Sequence, residues 1–113
     1  MLKKLSVMLS PVVIAFSTAC FASNSGPGYI TDMITERGGA AFINSNGAHN
    51  GSWPSCATAL SRYAIDTNSA AGQAVYATLL SAKLAHTQIA IMGSGTCTIW
   101  GDSEDIVYVE LPQ

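Results

Sequence analysis

The chain has 113 residues, a formal net charge of −2 and only 11 % charged residues, a length that suits one small domain. Five Lys and Arg in all, two of them within the first four residues, leave no cationic surface for a nucleic-acid backbone. That affinity comes from Lys and Arg displacing counterions, so nucleic acid is excluded as an expected partner.

Lys3 and Lys4 give the chain a basic start, residues 5–16 are almost unbroken apolar sequence, and small residues lead to Cys20, Phe21 and Ala22. A basic start, an apolar run of roughly 7–15 residues and a small-residue cleavage site define a secretory leader, with cleavage expected after Ala22. The apolar run is too short to span a membrane, which takes roughly 20 residues, and Pro11 interrupts it. A lipoprotein signal ending at Cys20 is the alternative, but its usual Leu is replaced by Ser17. Ordinary cleavage is therefore expected, giving a periplasmic or secreted domain over residues 23–113.

Removing the leader leaves 91 residues, with Arg37, Arg62 and Lys83 against seven carboxylates, a net charge of −4. Two cysteines remain, Cys56 and Cys97, and a pair in an exported chain reads as a disulfide. It closes a loop of about 40 residues, which the chain-entropy model values at roughly 3–4 kcal/mol.

Residues 23–28 read as a flexible lead-in, because Ser, Asn, Gly and Pro favour turns. A first strand is predicted over 29–37 from β-branched and aromatic enrichment, with a turn at Gly38 and Gly39. A short second strand over 40–44 carries Phe42 as its core residue, and a polar loop follows over 45–55 with Asn-Gly twice. The third strand is predicted over 56–66, its alternation shifting near Ser61 as a β-bulge would cause.

Ser69 is the expected N-cap of a helix over 70–85. Val75, Leu79 and Ala82, with Tyr76, Leu80 and Leu84 beside them, make its broad apolar stripe. The other side, Gln73, Ala77, Ser81 and Ala85, avoids charge and hints at packing against a like subunit. His86 ends the helix, where the dipole favours a protonated imidazole. The last two strands are predicted over 88–92 and 106–111. The fold class is thus mainly β with one helix, order β-β-β-α-β-β, the chain order of a five-stranded OB-like barrel.

The run from Cys56 through Arg62-Tyr63-Ala64-Ile65-Asp66, Gly72-Gln73-Ala74 and Leu79-Leu80-Ser81-Ala82 to Gly93–Glu104 resembles a family of small exported bacterial proteins. More distantly, the helix and the strand after it are similar to the B subunits of pertussis-like AB5 toxins, such as those of subtilase cytotoxin and typhoid toxin. The second resemblance implies a secreted OB-fold, a homo-oligomeric ring and glycan binding. No sugar-binding serine motif of those subunits is matched here.

The chemistry concentrates in the loop at 93–105, which holds Cys97, Trp100, Asp102, Glu104 and Asp105. Three carboxylates could face Ca²⁺, yet they lack the twelve-residue EF-hand spacing. His49 and His86 have no Cys or Glu at zinc-ligand spacing, so no metal or cofactor is expected. Asp102 and Glu104, two positions apart, cannot bracket a glycosidic bond, and Gly93-Ser94-Gly95 is neither a nucleophile elbow nor a dinucleotide fingerprint. Those glycines are assigned to backbone geometry, and no enzyme is expected. Arg62 is expected to pair with Asp66 or Glu104.

A binding surface is the remaining reading. Trp100 and Trp53 sit on predicted loops, where an indole can stack on a sugar ring, and Asp102, Glu104 and Asn50 could bond its hydroxyls. The competing readings bury Trp100 beneath the disulfide and use Trp53 to cap the barrel. The expectation is a non-catalytic glycan- or protein-binding module, with a structural or envelope-stress domain lacking a small ligand as the alternative.

Overall fold

The computed structural model describes residues 11–14 and 22–113. Of the expected leader, residues 11–14, exposed and without regular structure, and Ala22 fall among them; the rest, including Cys20, lies outside the described residues.

Seven strands and one helix follow in the order β1 (Asn24–Gly28), β2 (Ile30–Thr35), β3 (Ala40–Ser45), β4 (His49–Asn50), β5 (Arg62–Asp66), α1 (Ala70–Ala85), β6 (Ile89–Gly93) and β7 (Glu104–Glu110). They form one sheet ordered β2-β3-β5-β7-β6-β1-β4, antiparallel except for the parallel pair β5 and β7. The five-stranded barrel is corrected to seven strands whose hydrogen-bonded order does not close. The mainly-β architecture, the single helix and the Cys56–Cys97 disulfide are present, the last with a Cα separation of 6.1 Å.

The expected lead-in at 23–28 is instead strand β1, paired with β6 and β4. Its Gly, Ser and Pro composition hides this, because close approach rather than side-chain bulk fixes the segment. A Cβ on Gly28 would collide with the backbone of Gly47. The predicted third strand is shorter than expected, Arg62–Asp66, and residues 56–61 make turns instead. No bulge lies at Ser61. Its backbone is left-handed, φ 69°, and re-aims the chain into β5.

β3 and β5 are buried on both faces, which separates two apolar clusters. Ala41, Ile43, Tyr63 and Ile65 face inward and meet Leu79 and Ala82 of α1 with Ile89 and Ile91 of β6. Ala40, Phe42 and Ala64 point the other way, where Ile99 from the 93–105 loop packs on them.

Ser69 caps α1 by accepting from Gly72 N–H at 3.0 Å. The apolar stripe is narrower than predicted, since Leu79 and Ala82 are buried while Leu80 and Leu84 stay exposed. His86 closes the helix in the left-handed conformation, φ 51°, its N–H directed at the carbonyls of Ala82 and Lys83, and its ring stacks on Tyr29 at 4.3 Å. Lys83 Nζ donates to the Ile30 and Thr31 carbonyls at 3.0 and 2.8 Å, tying the last turn of α1 to β2. Among the described residues no helix is long and apolar enough to cross a membrane.

Candidate functional site

The three carboxylates of the 93–105 loop have three different fates. Asp105, at the start of β7, is nearly fully buried, and residues 96–99 wrap around it. The N–H groups of Thr98 and Ile99 donate to its carboxylate at 3.0 Å, and the hydroxyls of Thr96 and Thr98 add two more bonds. Its backbone joins in, Asp105 N–H donating to the Thr96 carbonyl and Ser94 N–H to the Asp105 carbonyl, both at 2.9 Å. A short loop of Gly, Ser and Thr acquires a fixed shape because its donors converge on one anion.

Glu104 is fully buried, so the expected bonding of its carboxylate to a ligand is replaced by bonding within the protein. Gly95 N–H donates to Oε1 at 2.8 Å and Ser23 N–H to the same atom at 3.1 Å, while the Ser23 hydroxyl donates to Oε2. The Gly-Ser-Gly sequence follows from this. A Cβ at Gly93 would strike the Glu104 carboxyl, and Gly95 sits at φ 80°, a conformation costly for other residues. The Tyr63 hydroxyl lies 3.3 Å from the Ser23 hydroxyl. Burial raises the Tyr63 pKa above the ordinary phenol value and the Glu104 charge adds to the rise, opposed by the Ser23 hydrogen bond.

Asp102 remains half-exposed. Arg62 pairs with it at 2.7 Å rather than with Asp66 or Glu104, and Arg62 Nε also donates to the Ser103 hydroxyl at 2.9 Å. The Asp102 pKa is lowered, first by the Ser103 hydroxyl and then by Arg62. Held this way, the guanidinium covers the Phe42 ring at 4.5 Å. Trp100 meets the same Phe42 edge-on, centroids 5.3 Å apart.

Trp100 is neither buried beneath the disulfide nor free. It is 40 % exposed, at a groove of about 350 Å³. Glu36, Asp66 and Asn68 line the same groove, and the sequence pointed to none of them as site residues. They meet because Ala40 pairs with Asp66 in the β3–β5 ladder, which sets the 36–39 turn beside the 66–69 turn. Thr67 N–H and its hydroxyl both donate to the Gly39 carbonyl, and Asn68 Nδ2 donates to the Gly38 carbonyl at 3.0 Å. Backbone donors fix the two acids as well, Gly38 N–H on Glu36 Oε2 at 2.6 Å and Asn68 N–H on Asp66 Oδ1 at 2.9 Å. A second, more apolar groove of about 150 Å³ shares Asp66 and Ile99 with the first and runs on toward Val75 of α1.

Trp53 belongs elsewhere. It stacks on His49 at 4.1 Å, lies 5.1 Å from Tyr63, and packs against the inner core. Asn50 is also distant in role, its amide bonded to Asn24 across the β1–β4 pair. The expected set of Trp100, Asp102, Glu104 and Trp53 therefore does not converge, and only Trp100 of the four lines the larger groove. Among the described residues no group of three or more His, Cys, Asp or Glu is placed to hold a metal ion. No family model, curated protein or solved structure matches the chain.

Proposed function

We propose that the protein is an exported, non-catalytic binding module that takes a saccharide in the groove beside Trp100. The observation that carries this reading is the half-exposed Trp100 indole sharing one groove with pre-oriented polar groups, Glu36, Asp66 and Asn68. An apolar sugar face stacks on an indole, while carboxylates and an amide fixed by backbone bonds accept from and donate to hydroxyls without first being ordered. Asp102 contributes indirectly, by holding Arg62 on the ring that Trp100 abuts.

An open OB-like sheet suits this role. β1 and β2 are separated by Tyr29 alone, so chain continuity links strands from opposite regions of the sheet order, and β5 runs parallel to β7. The likeness to AB5 toxin B subunits is kept within this proposal as the kind of secreted glycan binder such a fold would be.

The test is a glycan array probed with the wild-type protein and with Trp100→Ala. Saccharide hits that weaken at least tenfold in a variant still folded by circular dichroism are expected. An empty array, or hits that survive the substitution, would overturn the reading.

A further inference from the structure

We propose that Ser23 is the N-terminus of the working protein and that its α-ammonium group docks on the buried carboxylate of Glu104, so that leader removal completes the fold. The proposal rests on the export part of the reading above and not on the saccharide.

Two independent observations meet at this residue. The sequence places the leader cleavage site after Ala22, from its basic start, apolar run and small residues alone. The fold, without reference to cleavage, buries Ser23 completely and aims its nitrogen at Glu104 Oε1, 3.1 Å away. Ser23 grips both carboxylate oxygens, the second through its hydroxyl, and its own carbonyl accepts from Gly93 N–H at 2.9 Å.

Glu104 meets no cationic partner among the described residues. The one ion pair among the described residues joins Arg62 to Asp102, and the other ionisable group near Glu104 is the phenol of Tyr63, which brings no positive charge. A fully buried carboxylate met only by neutral N–H and O–H donors carries a desolvation cost that a cation would offset. Hydrolysis supplies that cation. Water adds across the Ala22–Ser23 peptide bond under a leader peptidase selective for small residues, leaving a carboxylate on Ala22 and an ammonium on Ser23. The nitrogen that donated as a neutral amide then donates as a charged group at the same place. Gly93 keeps the space open, since any side chain there would displace the Glu104 carboxyl.

The experiment starts from the full 113-residue chain expressed in an exporting bacterium. The recovered protein is sequenced from its N-terminus, then labelled with an amine-reactive anhydride in native buffer and in urea. We expect a Ser23 start and an α-amine labelled at least tenfold more slowly in native buffer than in urea, with Lys83, its Nζ on the Ile30 and Thr31 carbonyls, as the internal reference. In Glu104→Gln the protection of the α-amine should fall while Lys83 is unchanged. An N-terminus elsewhere, a lipidated Cys20, or a Ser23 amine that labels equally fast in both buffers would overturn the proposal. Protection retained in a folded Glu104→Gln would remove Glu104 as the partner. An export failure shows as an uncleaved chain, and a failure of the saccharide reading leaves these labelling results untouched.

Discussion

Glu104 and Asp105 are neighbours in sequence, both buried, yet they organise different parts of the molecule. Asp105 draws its side-chain donors from Thr96, Thr98 and Ile99, at most nine positions away. Glu104 draws two of its three from Ser23, 81 positions away. The first network shapes a loop from within; the second pins Ser23, just before β1, to the first residue of the central strand β7. Closing a long segment costs more entropy than closing a short one, so the Glu104 network depends on the whole fold being in place. The Asp105 network needs only its own loop and β7. Trp100 rides on the local network, and the chain start on the global one.

The comparison can be broken from either side. Replacing Cys56 and Cys97 together with Ala should have the largest effect, a loss of about 3–4 kcal/mol in urea unfolding, because the bond constrains both networks through the unfolded chain. Asp105→Ala should follow at about 3 kcal/mol, since it strands several buried N–H and O–H donors. Hydrogen exchange should then rise at residues 94–99 and stay low in β1. Equal loss of protection in both regions would deny that the Asp105 network is local.

Trp100→Ala should cost only about 1–2 kcal/mol, the edge contact with Phe42 and partial burial being all it forfeits. The smallest effect concerns Tyr63. Its folded pKa is raised, so stability is intact below the unfolded phenol value near 10 and declines as pH climbs through the folded value. Tyr63→Phe should flatten that alkaline limb of the unfolding curve.

Much of this was legible in the residues. Ser69 followed by an apolar period of helical spacing located α1 to its ends, two cysteines left after the expected leader located the disulfide, and Gly38-Gly39 located a turn. Strand β1 was not legible. Turn-forming residues such as Ser25, Gly26 and Pro27 carry no strand signal, and the segment is ordered by pairing with β6 and by backbone packing on Gly47. The inward course of Glu104 was equally hidden, because it depends on the gap at Gly93 and on a donor 81 residues away. Glu36 and Asp66 read as strand residues and Asn68 as part of the link to the helix. Their convergence follows from the register of β3 against β5, which local sequence does not encode. Trp100 was singled out because a large aromatic on a polar loop is informative in either outcome.

The central claim is that the Asp105-anchored loop presents Trp100 to a saccharide. Trp53→Phe leaves Trp100 as the sole tryptophan, so its fluorescence can be followed during titration with a panel of saccharides at millimolar concentration. The account predicts that at least one saccharide shifts the emission to the blue and shields the indole from acrylamide. Emission and acrylamide quenching that stay unchanged across the whole panel would contradict it.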